Sequence, residues 1–446
     1  MEFDKLKSVF FLGVGGIGMS ALARYFLAQH KLVFGYDKTK SKLCQELQKE
    51  GITITYEDAI DFIKTHKLDP EHCLCVYTPA LPKELNLIQA LKANGFSLLK
   101  RAEVLGLISK TKTCLAVAGT HGKTSTSAIL AHIMACSKHG SSAFIGGILS
   151  NYKSNLILQD GPFMVAEADE FDRSFLQLDV QDSILTSMDP DHLDIYGTEE
   201  EFKSTFETYL NKVKRHKIAH HSLPIEGTHS YGLSADADWF AEDIHWNGKG
   251  MSFVFCDQKN EVKETFEMPF PGLHNVENAV AAIGLANLQN VDYESIKLAL
   301  KQFRGIYRRF EIHQLNNRIL IDDYAHHPKE LKESLASARA CFPNKTIAVL
   351  FQPHLFSRTK DFMSEFADVL SKADVPAVID IYPAREKPIK GITSQALANL
   401  NPKINYLKPE DIHPFLDQHP FDVLMVLGAG DIANLVEPLK AFLSKS

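Results

Sequence analysis

The segment 119–125 combines the residue types of a site for nucleotide phosphates. It reads Gly-Thr-His-Gly-Lys-Thr-Ser, follows an apolar run and precedes a stretch compatible with a helix. A glycine turn at a helix N-terminus offers backbone N–H groups and the positive end of the helix dipole to an anion. Lys123 adds a full charge, and a hydroxyl such as that of Thr124 ligates Mg²⁺ in a P-loop. The segment therefore predicts a nucleotide-binding loop. A chance glycine turn is the alternative, because Val117 stands where the standard P-loop pattern has its first glycine.

Acidic residues follow two further apolar runs of this region. Glu167 comes first off the run 161–167, and a carboxylate at the end of a strand beside a P-loop usually helps to hold Mg²⁺. We interpret the acids after it as solvated loop charges: Asp169, Glu170 and Asp172. His192 lies among Asp189, Asp191 and Asp194, which indicates either a second metal position or a polar loop.

A second glycine-rich turn lies near the N-terminus. Gly13, Gly15 and Gly18 have the G-x-G-x-x-G spacing, between the strand-like run 8–12 and a helical stretch that reaches residue 29. Asp37 follows about 20 residues later, after another strand-like run, as in a dinucleotide site. The pattern predicts a diphosphate ligand. It does not separate NAD, FAD and a UDP-sugar, because all of them carry the same pyrophosphate.

Three polar clusters end apolar runs in the last third of the chain. They are the segments 322–328, 352–358 and 428–431, and they contain His326, His327 and Arg358. Strands and helical stretches alternate here, which predicts a parallel sheet that binds ligands at the carboxyl ends of its strands. In the middle of the chain, alternation from residue 239 to 268 indicates a small antiparallel element, and a helix is predicted from 278 to 288.

Composition limits the classes of function. The 446 residues include 48 Lys and Arg against 55 Asp and Glu, a net charge of −7 that argues against nucleic acid as the main partner. No run of about 20 apolar residues predicts a membrane span, and the N-terminus lacks a signal-peptide pattern. The seven cysteines suit reduced thiols in a cytoplasmic protein. Cys73 and Cys75 are interpreted as strand residues, because no second ligand pair accompanies them.

The order of these motifs resembles the Mur ligases, the ATP-dependent amide ligases of peptidoglycan precursor synthesis. The motifs run from the glycine turn and Gly-Thr-His-Gly-Lys-Thr to Glu-Ala-Asp-Glu-x-Asp and Asp-His-x-Asp. His-Asn-x-x-Asn, Arg-Arg-Phe, Asp-Asp-Tyr-x-His-His-Pro and Phe-Gln-Pro-His follow. The resemblance implies an α/β fold of three domains. These are an N-terminal Rossmann-like domain (1–107), a central P-loop ATPase-like domain (108–311) with a parallel sheet plus a small antiparallel sheet, and a C-terminal Rossmann-like domain (312–446).

The resemblance also implies a reaction. ATP would phosphorylate the lactyl carboxylate of UDP-N-acetylmuramate, and L-alanine would displace phosphate to form an amide. The alternative within the family attaches a murein tripeptide to the same sugar nucleotide. Outside the family, an NAD-dependent oxidoreductase and a nucleotide-binding module without catalysis remain alternatives. The expected cofactors are ATP and Mg²⁺, with two ions, and the expected protein is a monomer or weak dimer. Ligands on three domains imply closure on binding, with hinges near residues 108 and 312.

The family pattern assigns the following roles to residues of this chain. The ATP contacts would be Gly119, Thr120, His121, Gly122, Lys123, Thr124, Ser125, His274, Asn275, Asn278, Arg309 and Asp323. The UDP-sugar contacts would be Gly13, Gly15, Gly16, Gly18, Asp37 and His121. The amino-acid contacts would be Tyr324, His326, His327 and Arg358. The metal ligands would be Thr124, Glu167 and His192, and the catalytic set Lys123, Glu167, His192, His326 and Arg358. Spacing alone favours helix capping for His274, Asn275 and Asn278.

The chain departs from the pattern at two positions. Several related ligases have a carbamylated lysine where this chain has Phe206, so no such lysine is predicted. Some members have an arginine directly after Phe-Gln-Pro-His, where this chain has Leu355. Arg358 is then the one cation that this loop is expected to supply.

Overall fold

The computed structural model describes residues 3–79, 81–82, 84–190, 193–225, 229–248, 250–384 and 386–444. The described residues form three β-sheets, and the chain divides into two compact units. The first unit comprises Met1–Glu242, Val254–Phe266 and Glu277–Arg304, and the second comprises Asp243–Phe253, Glu267–Val276 and Gly305–Ser446. No helix of the described residues is long and apolar enough to cross a membrane.

The N-terminal sheet alternates strands and helices. Its elements are β1 (Ser8–Leu12), α1 (Ile17–Ala28), β2 (Leu32–Tyr36), α2 (Lys42–Lys49), β3 (Thr53–Thr55), α3 (Asp61–Thr65), β4 (Cys73–Tyr77), α4 (Asn86–Ala93), β5 (Ser97–Lys100) and α5 (Arg101–Ser109). The order is β3-β2-β1-β4-β5, with every pair parallel. All five residues of β1 are buried, as expected for a central strand covered on both faces. Cys73 and Cys75 lie on β4, which confirms that this segment is a strand.

The central sheet has ten strands. Its elements are β6 (Thr113–Ala118), α6 (Lys123–Cys136), β7 (Ser141–Leu149), β8 (Ser154–Ile157), β9 (Phe163–Ala168), β10 (Val180–Leu185), α7 (Leu193–Tyr196), α8 (Glu199–Lys212), β11 (Lys217–His220), β12 (His229–Gly232), β13 (Trp239–Trp246), β14 (Met251–Asp257), β15 (Val262–Met268), α9 (Leu273–Leu288) and α10 (Tyr293–Gln302). The order is β15-β14-β13-β12-β11-β10-β6-β9-β7-β8. The strands β13 to β15 follow one another through short connections, which suit antiparallel pairing. They extend the edge of the parallel sheet instead of forming a sheet of their own.

The C-terminal sheet has six strands. Its elements are β16 (Glu311–Leu315), β17 (Arg318–Asp323), α11 (Pro328–Cys341), β18 (Ile347–Phe351), α12 (Phe356–Asp361), α13 (Met363–Leu370), β19 (Val375–Val378), α14 (Ser394–Ala398), β20 (Asn405–Tyr406), α15 (Ile412–Gln418), β21 (Val423–Leu427) and α16 (Val436–Leu443). The order is β16-β17-β21-β18-β19-β20, and only the β16–β17 pair is antiparallel. The α/β fold with three sheets confirms the predicted fold class.

Some element bounds differ from the sequence prediction. The P-loop helix α6 begins at Lys123, directly after the loop, and α9 begins at Leu273, five residues before the predicted start. The residues 360–370, whose apolar pattern is typical of one continuous helix, contain the end of α12 and all of α13. The two helices meet at Phe362, where the backbone leaves the helical region (φ −120°, ψ 23°). Hydrophobic periodicity continues across such a break, so the pattern does not reveal it.

A buried polar network joins α1 to the central sheet within the first unit. The guanidinium of Arg24 donates to both carboxylate oxygens of Glu50, at 2.8 and 2.7 Å, and to Oδ1 of Asn155 at 2.7 Å. The amide of Asn155, on β8, donates to Oγ of Ser20 at 3.0 Å and to the carbonyl of Ile17. Because Ile17 is the first residue of α1, this network fixes the helix that begins at the N-terminal glycine turn.

Candidate active site

The nucleotide-binding loop leads from β6 into α6. Gly119 and Gly122 both have positive φ, +134° and +78°, a region that favours glycine. A Cβ at Gly119 would collide with Oγ1 of Thr186 and lie 2.8 Å from the backbone nitrogen of Ser187. Both glycines are therefore required by the turn itself, which explains the Gly-x-x-Gly spacing without a glycine at Val117.

Polar contacts from the end of β10 hold this loop. Oγ1 of Thr120 donates to the carbonyl of Asp189 at 2.6 Å, and the backbone N–H of His121 donates to Oγ of Ser187 at 2.8 Å. Nε2 of His121 lies 3.7 Å from Oδ2 of Asp189. Ser125 lies half-buried in the first turn of α6. The strand ends that flank the P-loop thus determine its conformation.

Lys123 folds back over its own loop. Its Nζ donates to the carbonyls of Gly119 at 2.5 Å and Thr120 at 3.1 Å, and lies 2.9 and 2.7 Å from the two carboxylate oxygens of Glu170. Burial, the largest single influence, lowers the pKa of Lys123, but the carboxylates of Glu170, Asp169 and Glu167 act against it, and the pKa is raised. The ammonium therefore keeps its charge in a nearly closed environment.

The interpretation of Glu170 as a solvated charge was wrong, whereas Asp169 and Asp172 are partly exposed and also paired with cations. Glu170 is 2% exposed and pairs with Lys123. Asp169 accepts from Arg101 at 3.2 Å, and Asp172 accepts from Lys100 at 2.8 Å. Each acid neutralises one cation that lies far from it in sequence, which a local polar pattern cannot reveal.

Thr124 and Glu167, two predicted Mg²⁺ ligands, lie together. Oγ1 of Thr124 donates to Oε1 of Glu167 at 2.9 Å, and the backbone N–H of Gly146 donates to Oε2 at 2.8 Å. A hydroxyl and a carboxylate are the hard oxygen ligands that Mg²⁺ prefers, so these two residues fit the ion. Among the described residues, no three His, Cys, Asp or Glu side chains form a metal cluster by themselves. The third predicted ligand, His192, lies outside the described residues.

The residues of the His-Asn-x-x-Asn motif lie in the first two turns of α9 rather than at its cap. Oδ1 of Asn278 accepts from Oγ1 of Thr126 at 2.9 Å, which attaches α9 to the P-loop helix. Nδ2 of Asn275 donates to the carbonyl of Pro271 at 2.6 Å. Nδ1 of His274 lies 3.3 Å from Oγ of Ser337. The expectation of helix capping was wrong because the helix begins at Leu273.

The N-terminal glycine turn is held by the acid predicted to bind the sugar nucleotide. Oδ2 of Asp37 accepts the backbone N–H of Gly15 at 2.9 Å. Gly13 has φ +85°, and Gly16 precedes the first residue of α1. A Cβ at Gly18 would lie 2.8 Å from Nη1 of Arg101, so the guanidinium packs directly on the turn. Arg101 was not predicted from the sequence, because a Lys-Arg pair at the junction of β5 and α5 is a weak signal.

The predicted amino-acid contacts gather at the strand ends of the second unit. Nδ1 of His326 lies 2.9 Å from the carbonyl of Tyr324 and 3.4 Å from Oε2 of Glu330. Burial lowers the pKa of His326 and lowers that of His354, whose ring centroid lies 5.7 Å away, to about 4. Both rings are therefore neutral at pH 7. The interaction with the Arg358 guanidinium, in α12, contributes to the lowering of both pKa values.

His327 and Leu355 show local constraints in the same region. Nδ1 of His327 accepts the backbone N–H of Lys329 at 3.3 Å and caps α11, and its ring packs on Phe362. Leu355 has φ +71°, a conformation that branched residues rarely adopt. Its N–H donates to the carbonyl of Tyr382 at 2.9 Å. This contact secures the turn that begins the Arg358 helix.

The adjacent arginines 308 and 309 have different environments. Nε of Arg308 donates to Asp322 at 3.0 and 3.2 Å, and Nη2 donates to the carbonyl of Gly428 at 2.7 Å. The guanidinium of Arg309 lies 5.1 Å from the ring centroid of Tyr324. Asp323, beside them, is buried, and burial raises its pKa.

We expect Arg308→Met to destabilise the protein by about 3–5 kcal/mol, since it leaves the buried carboxylate of Asp322 without its cation. Chemical denaturation measures this loss. Arg309→Met is the matched control and should change the free energy of unfolding by less than about 1 kcal/mol. Equal destabilisation by the two variants would contradict a structural role specific to Arg308.

Comparisons with known proteins match the chain along its length. Three family models match this chain. They are the Mur ligase family catalytic domain at residues 8–113, the Mur ligase middle domain at 117–286 and the Mur ligase glutamate ligase domain at 308–430. A UDP-N-acetylmuramate–L-alanine ligase of Parabacteroides distasonis is 42% identical, covering 100% of this chain and 99% of its own length. One of Flavobacterium psychrophilum is 42% identical, covering 99% of each.

Solved structures show the same architecture. The UDP-N-acetylmuramate–alanine ligase of Thermotoga maritima is similar with a TM-score of 0.84 and 27% identity, covering 98% of this chain and 100% of its own. A murein peptide ligase of Psychrobacter arcticus has a TM-score of 0.71 and 22% identity, covering 99% of each chain. The second likeness shows the fold alone.

Proposed function

Because the chain belongs to the Mur ligase family, we propose that it joins L-alanine to the lactyl carboxylate of UDP-N-acetylmuramate at the expense of ATP. The observation that carries the proposal is the 42% identity to L-alanine ligases over the full length of both chains. The P-loop geometry, with Lys123 over the loop and Thr124 beside Glu167, supports it. We place the reaction in the cytoplasm, and the seven cysteines, all free thiols, suit a reducing compartment.

The reaction has two steps in this proposal. An oxygen of the lactyl carboxylate attacks the γ-phosphorus of ATP, which forms an acyl phosphate and releases ADP. The uncharged amine of L-alanine then attacks the acyl carbon, phosphate leaves, and the nitrogen loses a proton. The first step brings two anions together, and the second develops negative charge on the acyl oxygen and the leaving phosphate. Fixed cations and dipoles must stabilise this charge.

The chain supplies these groups at the P-loop. Lys123 and the first N–H groups of α6 would stabilise the phosphates, with Asn278 and His274 near the nucleotide. Thr124, Glu167 and His192 would hold magnesium, with two ions proposed. The ions would neutralise phosphate charge, while the protein's own residues position the reactants. Arg309 and Asp323 complete the proposed ATP contacts.

The glycine turn and Arg101 suit the diphosphate of the sugar nucleotide. We expect Arg101→Ala to raise the KM for UDP-N-acetylmuramate about tenfold or more, with kcat less affected, because a charge-assisted hydrogen bond contributes about 1.5–3 kcal/mol. Steady-state kinetics with varied sugar nucleotide measure this. Lys100→Ala, which removes the neighbouring cation paired with Asp172, should leave this KM within about threefold. An unchanged KM in Arg101→Ala would contradict the role.

For L-alanine we propose a site from Tyr324, His326, His327 and Arg358. Arg358 would pair with the alanine carboxylate, and the neutral ring of His326 would receive a proton from the amine. The apolar Leu355, where some family members have arginine, leaves the loop with one cation. In the proposed site this one cation, Arg358, pairs with the single carboxylate of L-alanine.

The test is phosphate release from ATP and Mg²⁺ by purified protein, with UDP-N-acetylmuramate and each amino compound added in turn. Release that requires both the sugar nucleotide and L-alanine supports the proposal. Release only with the murein tripeptide would assign the alternative ligase. No release under any combination, with folded protein that binds ATP, would contradict catalysis.

A further inference from the structure

Glu170 is a feature of the phosphate site to which the proposed chemistry assigns no role. Its side chain is 3% exposed and that of Lys123 is 13% exposed, with Nζ 2.9 and 2.7 Å from the two carboxylate oxygens. It lies in the segment after β9, three residues beyond Glu167. The pair is therefore a buried contact between the P-loop and the end of a neighbouring strand.

The acceptors around Lys123 already occupy its donors. An ammonium has three N–H groups, and Nζ contacts the carbonyls of Gly119 and Thr120 as well as Glu170. A phosphate oxygen can bond to Nζ only if one of these acceptors gives way. Whether the Lys123–Glu170 pair survives nucleotide binding depends on which of these acceptors Nζ releases.

The backbone of Glu170 is fixed and does not favour withdrawal of its carboxylate. Its carbonyl accepts the N–H of Arg173 at 2.9 Å and the hydroxyl of Tyr196. Asp172 and Arg173 have φ of 53° and 54°, so the turn that follows is itself constrained. Leaving the buried Glu170 carboxylate without its cation costs more free energy than leaving a loop carbonyl without a donor, because the carbonyl is neutral.

We propose that Glu170 is a positioning residue for Lys123, which remains paired with it when ATP binds and exchanges loop carbonyls for phosphate oxygens. Glu170 thereby sets the direction in which Nζ meets the phosphates. This inference rests on the proposed ligase function. It assigns Glu170 an action through Lys123 and no contact with the substrates.

A double-mutant cycle tests the proposal with the full-length protein: wild type, Glu170→Gln, Lys123→Met and the double variant. In the complete assay, Glu170→Gln should lower kcat about 10- to 100-fold and leave the KM for ATP within about threefold, because the backbone donors of the loop remain. The double variant should be no slower than Lys123→Met alone, since Glu170 acts through the lysine. Asp172→Asn, an acid of the same turn paired with Lys100, should keep kcat within about twofold.

Melting temperatures of the same variants give a second measurement. Lys123→Met leaves the Glu170 carboxylate buried and unpaired, so its melting temperature should fall, and the double variant should recover part of the loss. This recovery also distinguishes a broken pair from general misfolding if a single variant folds poorly. Additive losses in rate, or a wild-type kcat in Glu170→Gln, would overturn the proposal.

The two proposals fail in different ways. A wild-type protein that releases no phosphate with UDP-N-acetylmuramate and L-alanine contradicts the proposed function. The melting temperatures still test the pair, because they need no substrate. If the wild type is active but the effects of Glu170→Gln and Lys123→Met on both melting temperature and rate simply add in the double variant, only the role of Glu170 is contradicted.

Discussion

Replacing Lys123 with alanine is expected to lower phosphate release about 10³-fold or more at saturating substrates. Nζ is the cation of the P-loop, and the structure holds it over the loop carbonyls and beside Glu170. Charge that develops on the transferred phosphoryl group would lose its nearest fixed cation. The measurement is kcat in the complete assay with UDP-N-acetylmuramate, L-alanine, ATP and Mg²⁺.

The control for this variant is Lys112→Ala. Lys112 precedes β6, the strand whose other end leads into the loop, and its Nζ donates to the carbonyl of Gly161 at 2.8 Å. Its loss should change kcat less than about threefold. A Lys123→Ala enzyme with more than about a tenth of the wild-type kcat would contradict the assigned role, provided that its melting curve shows a folded protein.

Much of the fold could be predicted from the sequence because the strands of a parallel sheet are continuous apolar runs. The run 8–12 coincides with β1, and the run 161–167 lies within two residues of β9 at each end. The short edge strands, such as β20 with two residues, give no such signal. The break at Phe362 was also missed, because a change in backbone direction does not interrupt hydrophobic periodicity.

The candidate site was predictable where its residues are adjacent in sequence and a glycine turn defines the backbone. The P-loop and the end of β9 are such places, and the structure brings Thr124 and Glu167 to 2.9 Å. The pairs Lys123–Glu170 and Arg101–Asp169 join residues 47 and 68 positions apart. These pairings depend on the positions of β9 and α5 in the fold. Local sequence patterns therefore do not predict which acid pairs with which cation. The roles assigned to all these residues stay predictions.

Neighbouring residues of one type illustrate the same limit. Arg308 and Arg309 are indistinguishable as a sequence pattern, and both guanidinium groups lie near the ring of Tyr324. Arg308, however, is 7% exposed and bonds to Asp322, whereas Arg309 is half-buried. Arg308 also has φ +58°, a left-handed backbone conformation that the pattern does not reveal. A motif thus identifies a segment, and only the backbone path decides which of its residues is structural.

The second large effect is expected for Glu167→Gln, which should lower kcat about 10³-fold and raise the Mg²⁺ concentration for half-maximal activity about tenfold or more. Glutamine keeps the size of the side chain and one oxygen for Thr124 or Gly146. It removes the negative charge that a hard divalent cation requires. The measurement is a Mg²⁺ titration of phosphate release at fixed ATP.

Glu199→Gln separates loss of a metal ligand from loss of one negative charge. Glu199 lies in the first turn of α8, where its carboxylate is 52% exposed and 2.6 Å from Lys203. Its variant should keep the wild-type Mg²⁺ dependence. If Glu167→Gln lowered kcat but left the Mg²⁺ requirement unchanged, Glu167 would instead hold Thr124 and Gly146 in place. The hydrogen bonds at 2.9 and 2.8 Å would then account for its effect. A shift in the Mg²⁺ requirement confined to Glu167→Gln requires the carboxylate to bind the ion, because both variants remove the same charge.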